Sequence, residues 1–395
     1  MLDIVLCFHI HQPYRLRTVR LVDRSGDLFD DVLNRAVVEK AARTCYLPAC
    51  DLLKGLMDRY GSEFKCAFSI TGTAAEQFSI WKPVVMERLC GLAATRCVEF
   101  IGETYYHSLF SHFDRGEFIE QVRQHSAMME HEFLVLPRVF RNTELLYDDR
   151  VSDYLSTFDQ FHVLLCEDAV ADQPVTQKLY RSYNDLHALL LRNHRLTDDI
   201  AFRFSNREWA GYPLTAEKFA SQLEEYEGTV DDGHNSFLLL YMDYETLGEH
   251  HARSTGIFRF FQDLAEIILN STRMRFSWPS DSLSQPEEHS MRVSVQKPVS
   301  WADSGKDLSA WLSSDLQKNA MHTLLEVSAR VRRNGEEALL ERVRRLSSSD
   351  HFYYMYPWEG GADAEVHRHF SPYHSPEDAY IRYINALTAL ELNLS

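Results

Sequence analysis

Seven short apolar runs punctuate the first two-thirds of the chain, and most of them end in polar groups. They are Leu2–His9 (LDIVLCFH), Lys65–Thr71 (KCAFSIT), Cys97–Gly102 (CVEFIG), Arg138–Thr143, Phe161–Cys166, Ala201–Ser205 and Phe237–Met242. Their length and flanking turn residues predict buried strands. The first delivers His9, His11 and Gln12 to a loop, and the third runs into Glu103, Tyr105, Tyr106 and His107. Later runs end in Glu144, in Glu167 and Asp168, in Asn206–Trp209, and in Asp243 and Glu245. Helical patterns lie between several of them. Asp30–Tyr60, interrupted at Pro48, sets Leu52, Leu53, Leu56, Met57 and Tyr60 on one face, and Gly116–Leu136 and Pro213–Glu227 are further helices. Strands alternating with helices imply a parallel sheet, and a closed barrel is its most economical form. The connection Asp168–Ile200 is long and irregular, suited to a lid or groove wall.

Beyond Asn270 the pattern changes. Met274–Asp303 is rich in Ser, Pro and charge, without periodicity, and is expected to be a crossing loop. In Leu308–Val331 apolar residues step by three or four, which predicts a helix, and Glu336–Leu346 and Asp378–Leu392 predict two more. Between them Ser349–Tyr356 (SDHFYYMY) is aromatic and polar, and is expected to face a cleft. The expected division is a catalytic barrel over 1–275, followed by a crossing loop and an α-helical subdomain over 276–395 that completes the cleft.

Hydrophobic residues make up 45% of the sequence, enough for a sizeable core, and the net charge of −17 argues against a nucleic-acid partner. The seven cysteines form no C-x-x-C, and the N-terminus has neither a basic n-region nor a cleavage site. A reduced, cytoplasmic protein is expected. No apolar run reaches bilayer length, so no membrane partner is expected.

The candidate chemistry lies at the strand ends. Alternation along Arg138–Glu144 would put Phe140, Asn142 and Glu144 on one face. Glu144 is then placed for a nucleophile, or equally for a structural ion pair with Arg141. Asp243 and Glu245 share a face if their strand continues; either could be a general acid, or both could pin a loop. Asp243 follows directly on the apolar run, so desolvation is expected to raise its pKa, while Glu245 lies further out. His9 and His11 form an H-x-H of the kind metal sites use, without a matching third and fourth ligand. They serve sugar hydroxyls at least as well. Trp209 at a strand end suits a sugar platform. There is no P-loop, no dinucleotide fingerprint and no G-x-S-x-G.

Five stretches in order resemble glycoside hydrolase family 57, in its α-amylase-like members. They are HIHQP (His9–Pro13), VEFIGETYYHSL (Val98–Leu109), FRNTELLYDD (Phe140–Asp149), YMDYETLGEH (Tyr241–His250) and SSDHFYYM (Ser348–Met355). CYLPAC, FSITGTAAEQ and VSWADSGKDLSAWL are also similar, so the resemblance covers nearly the whole chain. It implies a distorted, TIM-like (β/α)7 barrel followed by an α-helical region, and a retaining mechanism on α-1,4-glucans such as glycogen, starch or maltodextrin. It places the nucleophile at Glu144 and the acid/base at Asp243. It puts His9, His11 and His107 in the substrate pocket, with Asp350 and His351 lining the cleft. Gln12, Glu103, Trp209 and Glu245 complete the expected substrate-binding set. No metal or other cofactor is implied. Transfer to a second sugar, as in a 4-α-glucanotransferase or branching enzyme, stays open. So do a metal-dependent polysaccharide deacetylase using His9 and His11, and a non-catalytic glucan-binding protein.

Overall fold

The computed structural model describes residues 1–19, 27–172, 175, 178–227, 236–284, 290–359 and 363–394. Ten strands are present among them: β1 (Leu2–Ile10), β2 (Cys66–Ile70), β3 (Val98–Gly102), β4 (Val139–Arg141), β5 (Val163–Glu167), β6 (Tyr180–Arg181), β7 (Ala188–Arg192), β8 (Ser236–Asp243), β9 (Met274–Phe276) and β10 (Met291–Arg292). Seven of these, β1 to β5 with β7 and β8, pair in parallel, and the β7–β8 and β8–β1 pairings close the ring. The fold is the expected (β/α)7 barrel.

The strand β1 shows why these residues form a barrel wall. All nine of its residues are buried, as a parallel strand covered on both faces requires. Its even positions, Leu2, Ile4, Leu6, Phe8 and Ile10, pack outward against the helices. Its odd positions Val5 and Cys7 join the interior, with Ala67, Ile101, Val139, Leu165, Leu190 and Tyr241. Each Leu or Phe so buried contributes about 1.5–3 kcal/mol relative to exposure. Above this apolar plug, at the C-terminal end of the strands, the interior turns polar.

The sixth barrel strand is not where the pattern placed it. Ala201–Ser205 is the end of a helix, His194–Ala201, and the bend after it. Asn193 caps that helix, its side chain accepting from Leu196 N at 3.0 Å. Phe202 is exposed while Phe204 is buried, so the apparent apolar run does not share one environment. The strand is β7, with sequence ALLLR, inside the stretch read as an irregular connection; β6 turns back antiparallel beside it. Residues 173–174 and 176–177 of that connection lie outside the described residues. The segment 274–303 does cross the barrel: β9 pairs with β1, β10 pairs with β6, and residues 285–289 are outside the described residues.

The C-terminal helices Asp315–Asn334, Glu337–Leu346 and Pro376–Leu392 pack together through Leu324, Val327, Val343, Tyr383 and Leu387. A capping box starts the first of them: Ser314 accepts from Gln317 N, and the Gln317 side chain accepts from Ser314 N. The core of this region is continuous with Phe118, Phe140 and Phe161 on the barrel flank. Among the described residues, no helix is long and apolar enough to cross a membrane.

Candidate active site

The polar layer begins with register. In β1, His9 lies beside Ser69 of β2 and Asp243 of β8. Its Nδ1 is 3.5 Å from Asp243 Oδ1 and its Nε2 is 3.4 Å from Glu103 Oε2. Arg141, the last residue of β4, points inward and is fully buried. Its Nη1 donates to Glu103 Oε2 at 3.1 Å and lies 3.3 Å from His9 Nε2 and 3.4 Å from His107 Nδ1. The ion pair weighed for Glu144 and Arg141 is therefore formed by Glu103. His9, Glu103 and His107 come close enough together to hold a metal ion, but the guanidinium already occupies the position a cation would take.

Glu144 is delivered differently from the alternation expected. The strand ends at Arg141, and Glu144 sits in the tight turn Thr143–Leu145, with φ of 57° at Glu144 and 51° at Leu145. Two left-handed non-glycine residues in succession are costly, about 1–3 kcal/mol each. The turn is held by Leu146 N to Thr143 O at 2.9 Å and by Trp301 N to Glu144 O at 3.2 Å. It aims the carboxylate at three donors: Trp301 Nε1 at 2.7 Å on Oε2, then Ser349 Oγ at 2.8 Å and His107 Nε2 at 3.2 Å on Oε1. Burial alone would raise the Glu144 pKa; His107 and Trp301 outweigh it and hold the group below its usual value. Burial likewise works against a charged His107, yet its bonds to Glu103 and Glu144 carry its pKa up to about 9. Among the described residues, five of the eight non-glycine left-handed positions, His107, Glu144, Leu145, Asp303 and Lys306, gather at this mouth.

Asp243 is the last residue of β8, and its side chain is 38% exposed. The strand does not continue to Glu245, which lies in the turn Tyr244–Thr246. The expected raised pKa of Asp243 is corrected: burial pushes it up, but the His9 bond prevails and the group is held low. Glu245 instead is raised to about 8, by burial and by the Asp243 charge. The Tyr46 hydroxyl donates to Glu245 Oε1, and Gln12 Nε2 donates to Tyr46 Oη at 2.9 Å and to Glu245 Oε1 at 3.4 Å. Tyr46 reaches Glu245 because Ala42–Tyr46 is a π-helical turn between two α-helices, just before Pro48. At Gly248, with φ of 110°, a Cβ would run into the Thr44 carbonyl of that turn.

His11 is bonded on both nitrogens, to Thr71 Oγ1 at 2.9 Å and to Asp350 Oδ2 at 2.8 Å. Burial and the neighbouring His107 lower its pKa to about 4, so neutral His11 donates from Nε2 and accepts at Nδ1. Its ring stacks on His107 at 4.1 Å and His107 lies 5.0 Å from His9. Asp350 thus meets His11 at the end of β1. His351 does not line the cleft: it is 1% exposed and its ring lies 5.4 Å from Tyr383 in the helical core. Ser349–Tyr353 is a helix, and consecutive helical residues point about 100° apart. Trp209 also lies elsewhere, packed on the core between barrel and helices with its ring over Gly211.

The groups missed in the sequence are Trp301, Ser349, Tyr46 and Tyr241. Trp301 stands 5.5 Å from the Tyr241 ring and 6.5 Å from His9. Its segment, VSWADSGKDLSAWL, carried a signal, but nothing in its pattern gave the indole a role. Chemically, the mouth offers one carboxylate fixed in its charged form, a second exposed at the end of β8, and an imidazole against each, His107 and His9. That arrangement fits attack on, and protonation of, a polyhydroxylated substrate.

Comparison with known proteins identifies the family and the fold. A family model described as Glycosyl hydrolase family 57 matches residues 5–297. A protein of Methanocaldococcus jannaschii, named "Putative alpha-amylase", is 35% identical over 401 residues, covering 97% of this chain and 83% of that one. The branching enzyme of Thermococcus kodakaraensis superposes with a TM-score of 0.68 at 15% identity, over 93% of this chain and 87% of its own. The 4-alpha-glucanotransferase of Thermococcus litoralis gives 0.67 at 14% identity, over 89% of this chain and 56% of that structure, so the chain spans about half the length of that enzyme. At those identities the two structures speak for the fold alone.

Proposed function

We propose, from the premise that this chain belongs to glycosyl hydrolase family 57, that it cleaves α-1,4-glucans by double displacement. Glu144 attacks the anomeric carbon while Asp243 protonates the departing glycosidic oxygen; Asp243 then deprotonates water, which releases the sugar from the ester on Glu144. The observation that carries this reading is the triple donation to Glu144 from His107, Trp301 and Ser349. It keeps the carboxylate ionised and aimed, as a nucleophile needs. Asp243, exposed at the mouth beside His9, takes up its proton when a sugar displaces the surrounding water and desolvates it. His9, His11, Glu103, His107, Asp350 and the Gln12–Tyr46–Glu245 group shape the pocket. The division into a barrel over 1–275 and a cleft-completing part over 276–395 is supported by Ser349 and Asp350, which reach Glu144 and His11 from the second part. The cytoplasmic assignment rests on seven cysteines, all free.

A second reading, transfer to another sugar hydroxyl in place of water, uses the same two carboxylates. Incubation with maltoheptaose separates the two. New reducing ends without longer oligomers mean hydrolysis; longer oligomers mean transfer. No product of either kind from wild-type protein, with glycogen retained on binding, would replace both with a non-catalytic glucan-binding role.

A further inference from the structure

The loop that carries Trp301 is fixed at two places: beside Glu144, whose carbonyl accepts from Trp301 N at 3.2 Å, and again at the end of β5. Val299 pairs with Tyr147 in both directions, at 2.8 and 2.9 Å, and Ser300 N donates to Lys306 O at 2.9 Å, closing the loop on itself. Asp303 and Lys306 both take left-handed backbone, with φ of 54° and 46°. Such residues persist only where surrounding contacts over-determine them. For Lys306 the contact is an ion pair: its Nζ lies 2.8 Å from Glu167 Oε1 and 2.9 Å from Asp168 Oδ1, at the end of β5. For Asp303 it is His367 Nε2, 2.8 Å away and fully buried. The loop thus leaves β4's turn at Val299, sets Trp301 over the barrel mouth and is pinned again at the end of the neighbouring strand, β5. Glu167 needs Lys306 as much as the reverse, because it is fully buried and its other cation is Arg192, at 3.2 Å.

We propose that Lys306 is a positioning residue for the nucleophile: by clamping its loop to Glu167 and Asp168, it seats the Trp301 indole on Glu144. The inference rests on the reading of Glu144 as nucleophile. Lys306 touches no reacting atom and acts through Trp301, whose N–H is one of three donors that fix the carboxylate. The charged or titratable groups that face Glu144 are His107 from the β3 end, Arg141 from β4, and Asp350 and Tyr353 from the helical side. None of them is substituted in the variants below, and Asp303, on the same loop, also faces Tyr353.

The test is a double-mutant cycle on the full chain. Lys306→Met and Trp301→Phe are each expected to lower kcat by about tenfold, and the double variant to fall no further than the lower single one. Both singles should move the acid limb of the kcat profile to higher pH, because a Glu144 carboxylate that has lost a donor is easier to protonate. Lys306→Arg should restore both kcat and the limb. Without substrate, Lys306→Met should red-shift the tryptophan emission as the Trp301 indole reaches water, and the shift should vanish in the Trp301→Phe background. Asp168→Asn, which opens the clamp from the other side and keeps the Glu167 pair, should reproduce the shift if Lys306→Met folds poorly. Losses that add in the double variant, or emission unchanged in Asp168→Asn and Lys306→Met, would overturn the proposal. A wild-type protein without glucan activity would instead remove the functional reading, and the emission change would still report the clamp.

Discussion

His11 donates to Asp350 at 2.8 Å across 339 positions of sequence. With the Ser349 bond to Glu144, it means that the barrel mouth is incomplete without the helical region. Glu144 takes one of its three donors from each of three segments: His107 after β3, Trp301 in the crossing segment, and Ser349.

Glu144→Gln should keep the fold and lower kcat by about 10³-fold or more, since an amide matches the shape but cannot form the covalent ester. Circular dichroism and thermal melts check the fold, and product analysis on maltoheptaose checks turnover. Activity near wild type would reduce Glu144 to a structural group.

Asp243 and Glu245 separate kinetically. Asp243→Asn should lose most activity on glucans yet keep far more glycosylation of an activated aryl glycoside, whose leaving group needs little protonation. Azide should rescue its second step. Glu245→Gln, which removes only a buttress shared with Tyr46 and Gln12, should depress all substrates alike without rescue. Because Glu245 is the group raised to about 8, rescue at Glu245 and not at Asp243 would reverse the two roles.

His107 makes stability depend on pH in a defined direction. Its folded pKa, about 9, lies above its ordinary 6.5, so folding favours the protonated form. That contribution is complete below about pH 6.5 and is lost as pH rises through about 9. The melting temperature of the wild type should therefore fall from neutral to alkaline pH more steeply than that of His107→Gln. Parallel curves would show that His107 is not charged in the native state.

Arg141→Met should destabilise by about 3–5 kcal/mol, because it leaves a fully buried Glu103 short of its closest cation. Adding Glu103→Gln to that variant should recover part of the loss in chemical denaturation. No recovery would mean that the cost is packing against Tyr241 and Trp301 rather than charge.

Much of the site was legible because strand ends are legible. His9, Glu103, Glu144 and Asp243 each follow an apolar run, and the barrel brings such positions together. What pattern could not reach were groups supplied from segments without a strand end: Trp301 from an aperiodic crossing loop, Ser349 from a short helix, and Tyr46 from a π-turn. Side-chain direction was also hidden. His351 stands next to Asp350 in sequence but about 100° from it on a helix, which sends it into the core. The missed strand β7 has only ALLLR to announce it, while AFRFS imitates a strand although its two phenylalanines differ in exposure. Depth along β8 misjudged Asp243 because the decisive neighbour, His9, belongs to a different strand.

The central place of β1 has a cost during biosynthesis. Its nine buried residues need β2 on one edge and β8 on the other, yet β8 follows more than two hundred residues later. At ordinary ribosomal rates that gap lasts on the order of ten to fifty seconds. Throughout it, the edge of LDIVLCFHI that faces β8 lacks its partner, and an unpaired edge is the kind that can recruit other chains. Burial of this strand is therefore completed only once β8 has been made.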